Sequence, residues 1–266
     1  VAAALLAILW TSPSADAGSC PRPDALGVSR VLEVAVGPEG RFVGTKSYPT
    51  TLPLADHEIV LTFDDGPAAA TTDRVLDALD AECVHATFFV VGEMAAARPD
   101  RLRRIAAAGH TIGHHSMTHT VMTGVSTEAA EADITRGWQT VDRILYGHAG
   151  DRPTTPFFRF PGFAATKPLE GWLTDKRVAV FGADFWGSDW LKSTPEELLA
   201  RVLGRLETAR RGILLLHDIQ PHTAAMLPRL LAEMKARGYR IVHIVPASPA
   251  AAAAEPGGHV GATPPG

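Results

Sequence analysis

Basic runs are missing from this 266-residue chain: 25 Lys and Arg stand against 29 Asp and Glu, for a net charge of −4, and nowhere do more than two or three cations adjoin. A surface built to neutralise phosphates needs clustered positive charge, so nucleic acid is excluded as the expected partner. Long apolar runs are missing too. The stretch Val1–Trp10 is too short to span a bilayer, which makes a transmembrane anchor the weaker reading. Cysteine is scarce, with only Cys20 and Cys83, so one disulfide at most lies within the chain. No internal repeat stands out, which argues against a solenoid or propeller.

What is present begins with a targeting pattern. Val1–Trp10 is followed by Ala15-Asp16-Ala17, an apolar region and small-residue cleavage site typical of a secretory signal peptide. Residues 1–17 are therefore expected to be such a peptide, and the mature protein to be secreted or periplasmic. Export suits a Cys20–Cys83 disulfide, because oxidising compartments preserve such bonds. The alternatives are lipidation of Cys20, although Ala17-Gly18-Ser19 lacks the expected leucine, and a pair of unpaired thiols. Residues 18–57 read as an extension packing on the core, and the Ala/Pro/Gly-rich stretch 247–266 as a disordered tail.

With 46% hydrophobic residues, the chain can bury a large core. From Glu58 onward, short apolar runs at 58–63, 85–91, 111–113, 157–159, 178–181, 212–216 and 240–245 predict strands. Helix-period segments at 71–82, 98–108, 126–145, 166–176, 195–209 and 223–237 lie between them. Thr194-Pro195-Glu196-Glu197 predicts a capped helix start, and Gly109 and Gly238 predict helix stops. Seven strands joined by six helices imply a parallel α/β sheet, either open and doubly wound or closed into a barrel.

The unusual polar residues follow the strands. Asp64 and Asp65 follow the first, His114, His115 and His119 the third, Arg159 ends the fourth, Asp184 and Asp189 follow the fifth, and His217 and Asp218 the sixth. Carboxyl ends of strands are the rim on which α/β folds build active sites. His115 and His119, four residues apart, would present two imidazoles to one metal from one side of a helical turn. A carboxylate from the Asp pair completes three ligands and leaves positions open for water and substrate. Strand alternation would send Asp64 and Asp65 to opposite faces, one for a metal and one for a proton. The plainer reading is that Asp64-Asp65-Gly66-Pro67 forms a turn.

Five segments in order carry a resemblance: Thr62-Phe63-Asp64-Asp65-Gly66-Pro67, Gly113-His114-His115-Ser116-Met117-Thr118-His119, Arg159-Phe160-Pro161-Gly162, Asp189-Trp190 and Leu215-Leu216-His217-Asp218. They resemble the motifs of the polysaccharide deacetylase family, the NodB-homology group of carbohydrate esterase family 4. The likeness spans residues 58–246 and implies a distorted (β/α)7 barrel as a catalytic domain there. It further implies a divalent metal, zinc first with cobalt, nickel or manganese as alternatives, bound by Asp65, His115 and His119. Asp64 would be the base, held by Arg159, and His217 the acid, paired with Asp189. Leu215 would line the pocket for the acetyl methyl, with Pro161 and Gly162 against the substrate and the Gly162 amide at the oxyanion; Trp190, read from its own chemistry, would wall a pyranose ring.

Three positions depart from the family pattern. His114 replaces an expected Asn and adds an imidazole, either a fourth ligand or a group outside the ligand shell. Thr120 follows His119 in place of Pro, and Gly162-Phe163 replaces Tyr-Gly, altering the substrate groove. Trp186 is read as either groove or core, and Trp138 and Trp172 as core. Asp184 and Asp218 read as supporting or capping groups, and His57, His85, His110, His148, His222, His243 and His259 as structural or exposed. The implied activity is removal of N-acetyl groups from a polysaccharide containing N-acetylglucosamine, such as chitin oligomers, peptidoglycan or an exopolysaccharide, by a monomer. An O-acetyl esterase on xylan and a non-catalytic glycan-binding envelope protein are the rival readings.

Overall fold

The computed structural model describes residues 20–248; the expected signal peptide and nearly all of the expected tail lie outside them. Ten strands and seven α-helices follow one another as β1 (Val28–Val34), β2 (Arg41–Val43), β3 (Glu58–Asp64), α1 (Ala70–Ala81), β4 (Thr87–Val90), α2 (Gly92–Ala97), α3 (Pro99–Ala107), β5 (Thr111–His114), α4 (Thr127–Tyr146), β6 (Phe157–Phe158), α5 (Lys167–Asp175), β7 (Ala179–Phe181), β8 (Phe185–Trp186), α6 (Pro195–Ala209), β9 (Gly212–His217), α7 (Pro221–Ala236) and β10 (Arg240–Pro246). All strand pairs are parallel, running β8-β9-β3-β4-β5-β6-β7-β2 around the barrel.

Local chemistry accounts for the elements. The Thr194 hydroxyl accepts from the Glu197 amide and the Glu197 carboxylate accepts from the Thr194 amide, closing a capping box at the start of α6. Gly109 and Gly238 take φ of 81° and 74° after α3 and α7, where a left-handed residue ends a helix without a Cβ penalty. Along β3, Ile59, Leu61 and Phe63 pack outward against the helices, while Val60 joins Phe89, Phe157, Phe181 and Ile213 inside the barrel. The period of two therefore places Thr62 and Asp64 on the interior row.

The expected seventh barrel strand, 240–245, has a different place. β10 shares only two register pairs with β3 and otherwise runs beside β1. In its middle, His243 Nε2 lies 2.9 Å from the hydroxyl of Thr111, the first residue of β5. The strand thus crosses the amino-terminal ends of the barrel, and Val242, Ile244 and Val34 close the interior from below. The seventh barrel strand is instead β8, whose two residues pair with Leu214 and Leu215 of β9. Two residues carry no periodicity to read.

No ladder joins β8 to β7 or β2, so the ring is open there. The Asp184 carboxylate fills this seam, accepting from the Thr45 amide and hydroxyl, the Thr51 hydroxyl and the Ile213 amide at 2.6–2.9 Å. Because Ile213 lies at the start of β9, next to its first residue Gly212, Asp184 belongs to the amino-terminal side of the barrel rather than the rim where the sequence placed it. Cys20 and Cys83 are joined, with Cα atoms 5.8 Å apart. No helix among the described residues is long and apolar enough to cross a membrane.

Candidate active site

The carboxyl ends of β3, β5 and β9 deliver the chemistry. Asp64 ends β3 on the interior row, 2% exposed, and is in register with His217 at the end of β9. The fully buried Arg159 donates to Asp64 Oδ1 at 2.6 Å and to the Thr62 hydroxyl at 2.9 Å. Its other donors meet the carbonyls of Gly182 at 2.9 Å and Phe181 at 3.3 Å, and it lies over the Phe89 ring. Burial lowers the Arg159 pKa against the opposing pull of Asp64. A buried pair of this kind is held by geometry, and removing either partner strands the other charge. Asp64 Oδ2 points the other way, 3.8 Å from His115 Nε2.

Asp65 does not turn to the opposite face as alternation predicts. Its φ of 75° breaks the extended conformation, and its Oδ1 sits 3.5 Å from His115 Nε2 and 3.2 Å from His119 Nε2. The two histidines are likewise not on a helical turn. They lie on an irregular loop with left-handed residues at Ser116, φ 63°, and His119, φ 58°, which folds the rings to 5.0 Å between centroids. Asp65, Ser116, His119, Phe163 and Ser188, all left-handed, surround this rim; such conformations cost free energy and persist where neighbours over-determine them.

One ligand atom each from Asp65, His115 and His119 lies within 4.8 Å of the others. The His115 Nδ1–H donates to the Arg159 carbonyl at 2.8 Å, which leaves Nε2 free for coordination. Asp65 Oδ1 is buried with no hydrogen-bond partner. Burial favours the neutral acid, but the imidazoles of His115 and His119 hold Asp65 well below the usual carboxylate range. Two imidazoles and one carboxylate with an orphaned buried oxygen fit a divalent cation of the zinc type.

His217 faces this cluster across the cavity, Nε2 at 3.9 Å from Asp65 Oδ2. Its Nδ1 bonds Asp189 at 2.8 Å, and its backbone amide donates to the same carboxylate at 2.7 Å. The Thr223 hydroxyl and the His222 ring hold Asp189 from α7, both at 2.6 Å. Burial pulls the His217 pKa down, yet the bond to Asp189 and the charges of Asp189, Asp64 and Asp65 push it up to about 9.

A cavity of about 330 Å³ contains these groups, lined further by Phe160, Gly162, Phe163, Trp186, Trp190 and Leu215. Trp190 is 49% exposed and stands edge-on to His217. Trp186 therefore belongs to the groove, stacked on Phe163, while Trp138 and Trp172 stack on each other in the helical layer. Pro161 is buried at the start of a short turn, beside the cavity-lining Phe160 and Gly162. His114 is no fourth ligand. It shares the outward face of β5 with Ile112, reaches the Thr155 carbonyl at 3.1 Å, and burial keeps it neutral with a pKa of about 4.

Asp133 escaped the sequence reading, whereas Asp218 is the supporting group that the sequence suggests, with a partner that it does not. Asp133 of α4 accepts from the amides of Met117 and Thr118 at 3.1 and 3.3 Å and from the Thr118 hydroxyl at 3.1 Å, pinning the loop between the two histidines. Asp218, fully buried with its pKa pushed up to about 7 by burial, accepts from the Thr72 hydroxyl, which in turn accepts from the Ala68 amide at 2.7 Å. Its carboxylate lies where a Cβ on Gly66 would be. Asp133 sits in no pattern that marks it in one sequence, and the pairing of Asp218 with Thr72 and Gly66 comes from the close approach of distant elements.

Comparison with known proteins places this geometry. The polysaccharide deacetylase family model matches residues 52–172. A peptidoglycan-N-acetylglucosamine deacetylase of Bacillus cereus is 30% identical over 203 residues, covering 73% of this chain and 89% of the relative. The peptidoglycan-N-acetylglucosamine deacetylase PgdA of Listeria monocytogenes is 30% identical over 84% of this chain, which spans only 46% of its length. Among solved structures, the peptidoglycan deacetylase Bd3279 of Bdellovibrio bacteriovorus superposes with a TM-score of 0.72 at 33% identity, over 91% of this chain and 64% of that one.

Proposed function

Because the chain belongs to the polysaccharide deacetylase family, we propose that it hydrolyses N-acetyl groups of an N-acetylglucosamine-containing polysaccharide outside the cytoplasm, peptidoglycan foremost, and releases acetate. The observation that carries this reading is the convergence, in one cavity, of a three-ligand cluster, a clamped carboxylate and a carboxylate-paired imidazole. Asp65, His115 and His119 would hold the cation. When bound, a divalent ion of this type polarises a carbonyl and lowers the pKa of water toward about 7.

The remaining chemistry falls to side chains. With Oδ1 engaged by Arg159, Asp64 offers Oδ2 as the acceptor for the proton of the attacking water. The water oxygen bonds to the acetamide carbon, and the Gly162 amide stabilises the negative oxygen that develops. The carbon–nitrogen bond then breaks. His217 is already protonated at neutral pH, given its pKa of about 9, and its Nε2 is free because Nδ1 is tied to Asp189. It gives its proton to the leaving nitrogen, so acetate and a free amine are the products. Leu215 lines the pocket for the methyl group, and the exposed Trp190 walls the sugar ring.

Metal-loaded protein is expected to release acetate from chitooligosaccharides or from peptidoglycan, to stop on chelation, and to lose roughly 10²–10⁴-fold in kcat on Asp64→Asn. Enzymatic acetate assay checks each. Turnover confined to acetylxylan would replace the amide with an ester, and no turnover of any acetylated glycan would end the reading.

A further inference from the structure

A second cavity, of about 340 Å³, lies behind the groove and shares Trp186 with it. Lys46, Arg205 and Thr208 line it with Asp184. The Lys46 ammonium stands 5.3 Å from the Trp186 ring centroid. Arg205 donates to the Trp186 carbonyl and, at 2.9 Å, to the Ser188 hydroxyl. Beside it, Arg201 donates to the carbonyls of Gly187 and Ser188 at 3.3 and 3.1 Å. All of these partners are neutral, and none of the three cations pairs with a carboxylate among the described residues. Burial and the neighbouring Arg201 lower the Arg205 pKa, with no acid opposing them.

Asp184 offsets one of these three charges and leaves the wall net positive. Each of its oxygens already accepts two hydrogen bonds, and its role is to close the barrel seam. Three cations and one carboxylate, set beside a Trp186 ring that also lines the groove, leave a local positive field. Low-dielectric walls such as Trp186 and Phe185 focus that field.

We infer that the cavity behind Trp186 is a subsite for a carboxylate-bearing substituent of the glycan, with Lys46 as its specificity-determining residue. The inference rests on the deacetylase reading and narrows its substrate class to acidic over neutral N-acetylated glycans. Lys46 comes from the segment before β3, outside the five motifs, and its side chain holds no other part of the fold beyond the Trp186 ring.

The test compares three tetrasaccharides on the metal-loaded protein: N-acetylglucosamine alternating with N-acetylmuramic acid, the same compound with its lactyl carboxylates converted to amides, and chitotetraose. The amide keeps the shape and removes the charge. Wild type is expected to prefer the acid over its amide by about 5-fold in kcat/KM, through KM, a size typical of one partly exposed charge pair. The preference should shrink as salt rises. Lys46→Ala should bring the ratio near one, Lys46→Glu should reverse it, and Lys46→Arg should restore it. An equal ratio in wild type and Lys46→Glu, or no preference in wild type, overturns the inference. If none of the three is turned over, the functional reading fails separately, and calorimetric Kd values for the acid and the amide, undisturbed by turnover, decide the subsite by the same ratio.

Discussion

At the scale of single residues, the site depends on how little space its backbone leaves. Gly66 is required because the Asp218 carboxylate occupies the place of its Cβ, and the Asp65–Pro67 turn is held against that carboxylate through Thr72 and Ala68. Gly66→Ala is expected to cost about 1–3 kcal/mol by overpacking and to lower activity by displacing Asp65. Shortening the obstruction in Gly66→Ala/Asp218→Ser should recover part of the stability in a urea titration. Additive losses in the double variant would show that the two residues do not meet. The sequence shows Asp64 and Asp65 as a pair, but the left-handed φ of Asp65, which aims both carboxylates at one site, is a backbone state that adjacent aspartates do not announce.

Among elements, the strands and helices with a clear period were readable: six predicted helices and seven predicted strands all exist, with ends displaced by a few residues. What was not readable was short or partnered at a distance. β2 and β8 have three and two residues, and β1 is only half-buried, so its pattern is diluted. The loop that carries the proposed metal ligands shows the same limit. His115 and His119 are legible from residue type and spacing, whereas their convergence comes from α4, where Asp133 receives the loop amides and Gly137 admits the Ser116 backbone. Asp133→Ala should therefore weaken divalent-metal affinity by about 10–100-fold, as loss of outer supports commonly does. Competition with a chromogenic chelator measures it, and unchanged affinity with a lowered Tm would reduce Asp133 to a stabilising role.

For the molecule as a whole, the amino-terminal side of the barrel carries an acid sensitivity separate from catalysis. His85, His110 and His243 meet there, with ring centroids 5.2 and 5.8 Å from that of His85. Burial, aided by their mutual repulsion, holds His110 at about 3 and His243 at about 4 and lowers His85. In the unfolded chain each titrates near about 6.5. Below that pH the unfolded chain takes up protons that the folded one refuses, so these groups leave stability unaffected above pH ~6.5 and reduce it as pH falls toward ~4. His243 alone accounts for roughly 3 kcal/mol across that interval. Urea midpoints from pH 8 to 4.5 should fall less steeply in His243→Gln than in wild type; parallel curves would assign the acid loss elsewhere.

The unlatched ring between β7 and β8 bears on how this protein is best shortened for laboratory use. A fragment starting at Glu58 keeps all five motifs, yet it discards Thr45 and Thr51, which grip Asp184, and β2, which covers the outer edge of β7. Naked strand edges recruit other chains. Such a minimal version should therefore precipitate or form multimers on a sizing column, despite possessing every residue assigned to the reaction.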